Sequence, residues 1–253
     1  MSRPARALVA LLSLITVGCA SQPNAKRDPR DPWERFNRAS YAFNDALDRA
    51  VLRPVAKGYR AITPQFVETG VSNFFSNLSQ PTVIANDLLQ AKFKPAVSDT
   101  GRLLLNTTVG LGGLFDPATA AGLDKNDEDF GQTLGKWGLH SGPYLMVPFF
   151  GPSTVRDGFG SVADVYTDPK HYVERDSIRY GLAGLNLIEA RAQRLDLDET
   201  LRQAYDKYGF IRNAYLQRRE YLVTDGAVAP APVDEEPLED PDPDADTLPD
   251  TSK

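Results

Sequence analysis

The chain has 253 residues, 42% of them hydrophobic, with a formal net charge of -6, one cysteine and two histidines. A single thiol excludes a disulfide framework and a thiolate zinc site. Ten acids lie from Asp225 to Asp250 against only Lys253. Without these and the two arginines near the start, the body holds 24 acids and 25 bases, with no basic stripe of the kind nucleic-acid binding needs.

The first segment, residues 1–18, reads as a signal peptide. Arg3 and Arg6 precede an apolar run from Ala7 to Val17, too short to span a bilayer. Cys19, after Gly18, stands where a bacterial lipoprotein signal is cut and acylated. Thr16 occupies the place where that pattern usually has Leu, so an ordinary secretory signal is the alternative. Ala20 after the cysteine, where Asp would favour inner-membrane retention, points to the outer membrane. Residues 19–30 are polar and form a tether.

Asp31-Pro32-Trp33-Glu34 predicts a helix start, with Asp31 as cap and Glu34 completing a capping box. Trp33, Phe36, Ser40, Phe43, Leu47 and Val51 then recur at steps of three and four, an amphipathic helix of about five turns. Thr63-Pro64 opens a second helical stretch through Leu78. Pro81 and Pro95 are expected to restart the chain twice more. Between Leu103 and Leu123 the only charge is Asp116. Gly110, Gly112, Gly113 and Pro117 break this run into two short apolar segments, a hairpin that either dips into lipid or is buried in the core.

Ser141 to Pro152 mixes Tyr144, Leu145, Met146, Val147, Phe149 and Phe150 with glycines and prolines. It is either a loop pinned in the core or an aromatic segment at a lipid interface. Helical spacing returns with Val155, Phe159 and Val162, and again from Ile178 to Leu195, where Gly181, Ala183 and Gly184 suit the close approach of another helix. The last folded part, Leu201 to Leu222, carries Asp206, Arg212, Arg218 and Arg219. These charges belong to a solvated face or, at membrane depth, to a wet passage or a protein interface. Residues 225–253 read as a disordered acidic tail, either solubilising or a lure for a basic partner. The expected fold class is all-α, a body of amphipathic helices with a broken apolar hairpin.

Catalytic chemistry finds little support. His140 and His171 are 31 positions apart with no metal-ligand spacing, no Gly-x-Ser-x-Gly elbow occurs, and Asp127, Glu128 and Asp129 read as a solvated turn rather than a calcium loop.

Asp31-Pro32-Trp33-Glu34-Arg35-Phe36-Asn37-Arg38, Tyr41-Ala42-Phe43-Asn44, Arg53-Pro54-Val55-Ala56, Ser72-Asn73-Phe74-Phe75-Ser76-Asn77-Leu78 and Gly131-Gln132-Thr133-Leu134-Gly135 resemble the MlaA (VacJ) family of outer-membrane lipoproteins. The likeness continues through Asn106 to Gly113, Gly142-Pro143-Tyr144, Pro148-Phe149 and Arg212-Asn213-Ala214-Tyr215, covering about residues 28–223. It implies a single ring-like helical domain over residues 31–224, lying in the inner leaflet of the outer membrane around a phospholipid passage. The implied task is removal of mislocalised phospholipid from the outer leaflet and its delivery to an MlaC-like periplasmic carrier, with porin trimers as suggested neighbours. No enzyme chemistry, metal, cofactor or nucleic acid is implied. Asp206, Arg212 and Arg218 are the candidate headgroup contacts, arginine suiting a phosphate. By the resemblance, Phe43 and Asn44 hold the passage closed, and Gly110, Gly112 and Gly113 form its hinge. A phospholipid-cleaving enzyme and a structural lipoprotein bridging envelope layers are the rival readings.

Overall fold

Residues 28–227 are described by the structure, a computed structural model. Cys19, the signal segment, the tether up to residue 27 and the tail from residue 228 lie outside the described residues. α1 (Glu34–Leu47) continues through a π-helical turn (Asp48–Leu52) into α2 (Arg53–Ile62). Asp31, the expected cap of α1, does not cap it. The cap position is Trp33, which makes no side-chain bond, while Asp31 is buried and accepts from Asn37, Tyr208 and Arg212. Three donors, one of them cationic, stabilise a carboxylate more than a single first-turn amide does.

α3 (Gln65–Leu89) starts after Pro64 but runs straight through Pro81, where a restart was expected. Contacts with its neighbours on several sides hold the helix across the proline. α4 (Phe93–Thr108) has Pro95 in its first turn, where a missing N–H costs nothing. The glycine-rich turn after α4 leads to α5 (Pro117–Ala120), capped by Asp116, and α6 (Phe130–Lys136) is capped by Asp129.

The body is helical, as expected, with one small two-stranded sheet added to it. Residues 144–154 fold into a hairpin of β1 (Tyr144–Val147) and β2 (Gly151–Thr154), antiparallel with Tyr144 opposite Thr154 and Val147 opposite Gly151. Phe149 and Gly151, at φ 69° and 94°, let the chain reverse within three residues. Alternation along β1 buries Tyr144 and Met146 in the core, while Phe149 and Phe150, in the turn between the strands, are exposed. α7 (Val155–Asp164), a 3-10 turn (Pro169–Tyr172), α8 (Asp176–Ala192), α9 (Leu197–Gln203) and α10 (Lys207–Val223) complete the described chain.

Contacts between elements run in a circuit. α1 meets β1, β2 meets α10, α10 meets α6, α6 meets α3, α3 meets α8 and α8 meets α2, with α4 laid along α3. No helix approaches Gly181 or Gly184, because a Cβ at either would meet nothing within 4 Å.

Packing is inverted relative to a water-soluble domain. Much of the apolar stripe of α1 faces out, as do Ile62 (82% exposed), Phe66 (77%), Val97 (73%) and Phe159 (71%). Polar side chains at helical spacing turn inward instead: Asn37 and Ser40 on α1, Asn77, Gln80 and Asp87 on α3, and Asp99, Arg102 and Asn106 on α4. Apolar burial concentrates where Tyr144, Met146 and Tyr208 meet Tyr41, Ile211, Tyr215 and Leu216. Among the described residues no helix is long and apolar enough to cross a membrane.

Candidate functional site

Two asparagines one heptad apart fasten α1 to the hairpin. Asn37 donates to the Tyr144 carbonyl (3.1 Å) and accepts from the Met146 N–H (2.8 Å); Asn44 donates to the Val147 carbonyl (3.0 Å) and accepts from the Phe149 N–H (2.8 Å). Each amide thereby supplies both partners that an edge strand leaves open. Phe43 packs edge-on against Phe149, ring centres 5.0 Å apart. Phe43 and Asn44 are thus brought together at the hairpin turn.

Asp206 and Arg212 share a cluster around Tyr208. Arg38 forms a fork on Asp206 (2.7 and 3.0 Å) and lies over the Tyr208 ring at 4.4 Å, while Arg212 reaches Asp31 (3.1 Å) and Asp28 (3.2 Å). The Arg38 guanidinium holds the Asp206 carboxyl below its ordinary value, although partial burial opposes it. Arg218 stands apart, exposed and paired with Asp127 at 3.1 Å.

The glycine turn is tightly bonded. Gly112 N–H reaches the Thr107 carbonyl (2.9 Å), Gly113 N–H the Asn106 carbonyl (2.8 Å) and Phe115 N–H the Gly110 carbonyl (2.9 Å). Gly113 sits at φ 91°, and a Cβ there would lie 2.5 Å from that of Asn77. Beneath the turn, buried Arg102 binds Asp116 (2.8 Å), Thr119 and the Leu123 carbonyl, and Asn106 also donates to Asp116. Burial acts to raise the Asp116 carboxyl, but the Thr119 hydroxyl and N–H, Asn106 and Arg102 together hold it at about 2.

Sequence reasoning missed the most heavily bonded group. Arg219 bridges Asp129 and Asp157, with Asp157 also held by Arg156 and the Tyr215 hydroxyl. Burial pushes both carboxyls up, but the hydrogen bonds and charge of Arg219 outweigh it and keep both below the ordinary value. The acidic cluster expected as a solvated turn is therefore split among partners: Asp127 to Arg218, Glu128 to Lys92 and Asp129 to Arg219. Asp87, fully buried near Asp99, is instead raised to about 7, chiefly by burial and then by the Asp99 and Glu128 charges.

Two cavities open among these helices. One of about 260 Å³ is basic, lined by Arg49, Arg53, Lys57, Arg202 and Lys207 against Asp45 and Asp198. The other, about 360 Å³, lies between α3 and α8 and is lined largely by hydroxyl and amide side chains. His140 precedes β1 and His171 lies in the 3-10 turn. Among the described residues no three His, Cys, Asp or Glu side chains gather as a metal-holding group.

The MlaA lipoprotein family model matches residues 29–222. The chain belongs to the MlaA lipoprotein family. It is 38% identical to the intermembrane phospholipid transport system lipoprotein MlaA of Escherichia coli (strain K12) over 226 residues, 88% of this chain and 90% of the relative. The MlaA of Haemophilus influenzae is 36% identical over 227 residues, 87% and 90% of the two chains. A chain from a solved structure described as the structural basis for maintenance of bacterial outer membrane lipid asymmetry superposes with a TM-score of 0.70 at 38% identity, covering 78% of this chain and all of that one. This member's fold is therefore that of a solved relative over most of its length.

Proposed function

We propose that this MlaA-family chain is an outer-membrane lipoprotein, anchored through Cys19 in the periplasmic leaflet, which removes mislocalised phospholipid from the outer leaflet and passes it to an MlaC-like periplasmic carrier. The observation that carries the reading is the inverted packing: apolar side chains line the outside of a body whose interior is held by polar contacts. A body in lipid has no gain from burying apolar groups inward, whereas its polar groups must find partners inside. The names of the relatives, intermembrane phospholipid transport lipoproteins, support the same task.

In this reading residues 31–224 form a ring around the passage, the circuit of contacts being its wall. Asp206 and Arg212 act at the headgroup through the Tyr208 cluster, and Arg218 does so from its exposed position. Phe43 and Asn44 close the passage by holding the hairpin turn, and Gly110, Gly112 and Gly113 bend the segment that controls it. No bond in the lipid is made or broken, so no catalytic residue is required. Porin trimers are neighbours that would fix the ring in the membrane plane.

The test is to delete the gene and follow outer-leaflet phospholipid through palmitate transfer to lipid A. A rise reversed by wild type but not by Cys19→Ala or Arg212→Ala supports the anchored passage. No rise would leave a structural lipoprotein bridging envelope layers as the better account. Release of lysophospholipid by the pure protein would instead establish an enzyme.

A further inference from the structure

The basic cavity holds more positive charge than its own acids balance. Asp45, Arg49, Arg53 and Lys57 line it at intervals of four along α1, the π turn and α2. An uninterrupted α-helix would drift about 40° at each such step, and the wider winding of the π turn keeps all four on one face. Arg49 pairs with Asp45 at 2.9 Å, Arg53 with Asp48 at 3.2 Å, and Arg202 with Glu199. Lys57, on α2, and Lys207, at the start of α10, are exposed on the same lining, and neither makes an ion pair among the described residues. Leu201 is the one apolar side chain among the described lining residues, so an acyl chain would find almost no apolar wall here. The fitting occupant is an anion that is polar throughout.

A second pair of lysines shows what such a pair takes. Lys92 and Lys136 both bind the carboxylate of Asp225, where the acidic run of the chain begins. We propose that Lys57 and Lys207 dock residues 239–250 of the same chain, six carboxylates with no base among them, across the mouth of the basic cavity. The reach is sufficient. Lys207 begins α10, whose 17 residues span about 26 Å. The twelve steps from Ala227 to Glu239 cover about 37 Å at the 3.1 Å rise of a proline-rich chain. A covalent tether also presents the segment at an effective concentration on the order of millimolar, which favours it over a free anion. Each docked carboxylate accepts from an ammonium that otherwise faces only water. The acidic segment is in this way an internal ligand of the body, independent of the lipid-transport reading, and a strongly basic partner or a competing anion releases it.

The experiment treats the full-length, detergent-solubilised protein with a water-soluble carbodiimide, which joins a carboxylate to an amine in contact with it, and locates the links by peptide mass spectrometry. Links from Asp225 to Lys92 and Lys136 are the internal control. Residues 239–250 are expected to link to Lys57 and Lys207 within one molecule, about fivefold more often than to Lys94 and Lys125, which are exposed outside this cavity. The yield should fall in about 0.5 M NaCl, where exposed pairs are screened. With Lys57→Gln and Lys207→Gln combined, a glutamate-specific protease is expected to cut after Glu239 about fivefold faster than in wild type, the worth of two exposed ion pairs. Links spread evenly over the exposed lysines, links only between two molecules, or control links with none to residues 239–250 would each overturn the docking. Unchanged cutting in the double variant would overturn it as well. Links to a co-purifying basic protein in place of Lys57 and Lys207 would assign the segment to that partner and overturn the internal site.

Discussion

The outer surface and the inner seam of this protein are built on opposite rules. Outside, Phe36, Ile62, Phe66, Val97 and Phe159 present large apolar groups with no protein partner across them. Inside, Arg219 binds Asp129 and Asp157, Arg102 binds Asp116, and Asn37 binds the edge of β1. The difference teaches where the specificity of the fold resides. In lipid an apolar side chain gains little by choosing one neighbour over another, whereas a buried guanidinium has few acceptable ones.

The largest effect should come from breaking the seam at its densest point. Arg219→Ala leaves the buried Asp157 and the part-exposed Asp129 without the cation they share and is expected to cost about 3 kcal/mol of stability, read from chemical denaturation in detergent. A loss under about 1 kcal/mol would mean that the seam does not hold the fold. Next, Gly113→Ala puts a Cβ against Asn77 at a positive φ and should cost about 1–3 kcal/mol in the same assay.

Asp87 sharpens the comparison through pH. Its folded-state value, about 7, lies above the ordinary carboxylate value of 3.8, so the folded state holds a proton that the unfolded state releases between these limits. Stability from this group is thus present below about pH 4 and is lost as pH rises towards 7. Asp87→Asn should therefore raise the melting temperature over wild type at pH 8, with the gain vanishing near pH 4. Asp129 and Asp157 run the other way: their lowered values add stability above the ordinary carboxylate range that is lost on acidification.

The smallest stability effect is expected outside. Phe36→Ser with Phe150→Ser should change stability in micelles by less than ~0.5 kcal/mol, as surface substitutions usually do. Partition onto phospholipid vesicles, measured by flotation, should nevertheless fall about tenfold or more, since each phenyl group transferred from water contributes roughly 1.5–3 kcal/mol. Large destabilisation in micelles would place these rings in a protein core and erase the contrast.

Much of the helical content was legible because apolar residues recur every three or four positions whichever side they face. Which side they face was not legible. Period alone cannot tell a stripe that meets protein from one that meets lipid, so the α1 stripe was assigned without its direction. A usable signal was present in the complementary stripe: Asn37, Ser40 and Asn44 are small, polar and spaced by three and four. The glycine turn could be read because Gly110, Gly112 and Gly113 interrupt an apolar run, and its positive φ angles at Gly112 and Gly113 agree. Arg219 could not be read. Its partners lie 62 and 90 positions away, and nothing local distinguishes it from Arg218, which remains on the surface. Asp31 was misread for the same reason, since a cap motif is local and the donors that claim the carboxylate come mostly from α10.

That carboxylate also orders the events of folding. Asn37 lies six positions from Asp31, whereas Tyr208 and Arg212 lie 177 and 181 positions on. A nascent chain that has not yet made α10 therefore has one of the three donors for a group the finished body buries completely. Arg212 also grips Asp28, so the first described residues are locked to α10. Closure of the body is in this way postponed until α10 has been made, and a chain terminated before it exposes its own incompleteness as an unpaired charge, the kind of defect that envelope proteases and chaperones encounter in an open, unlatched molecule.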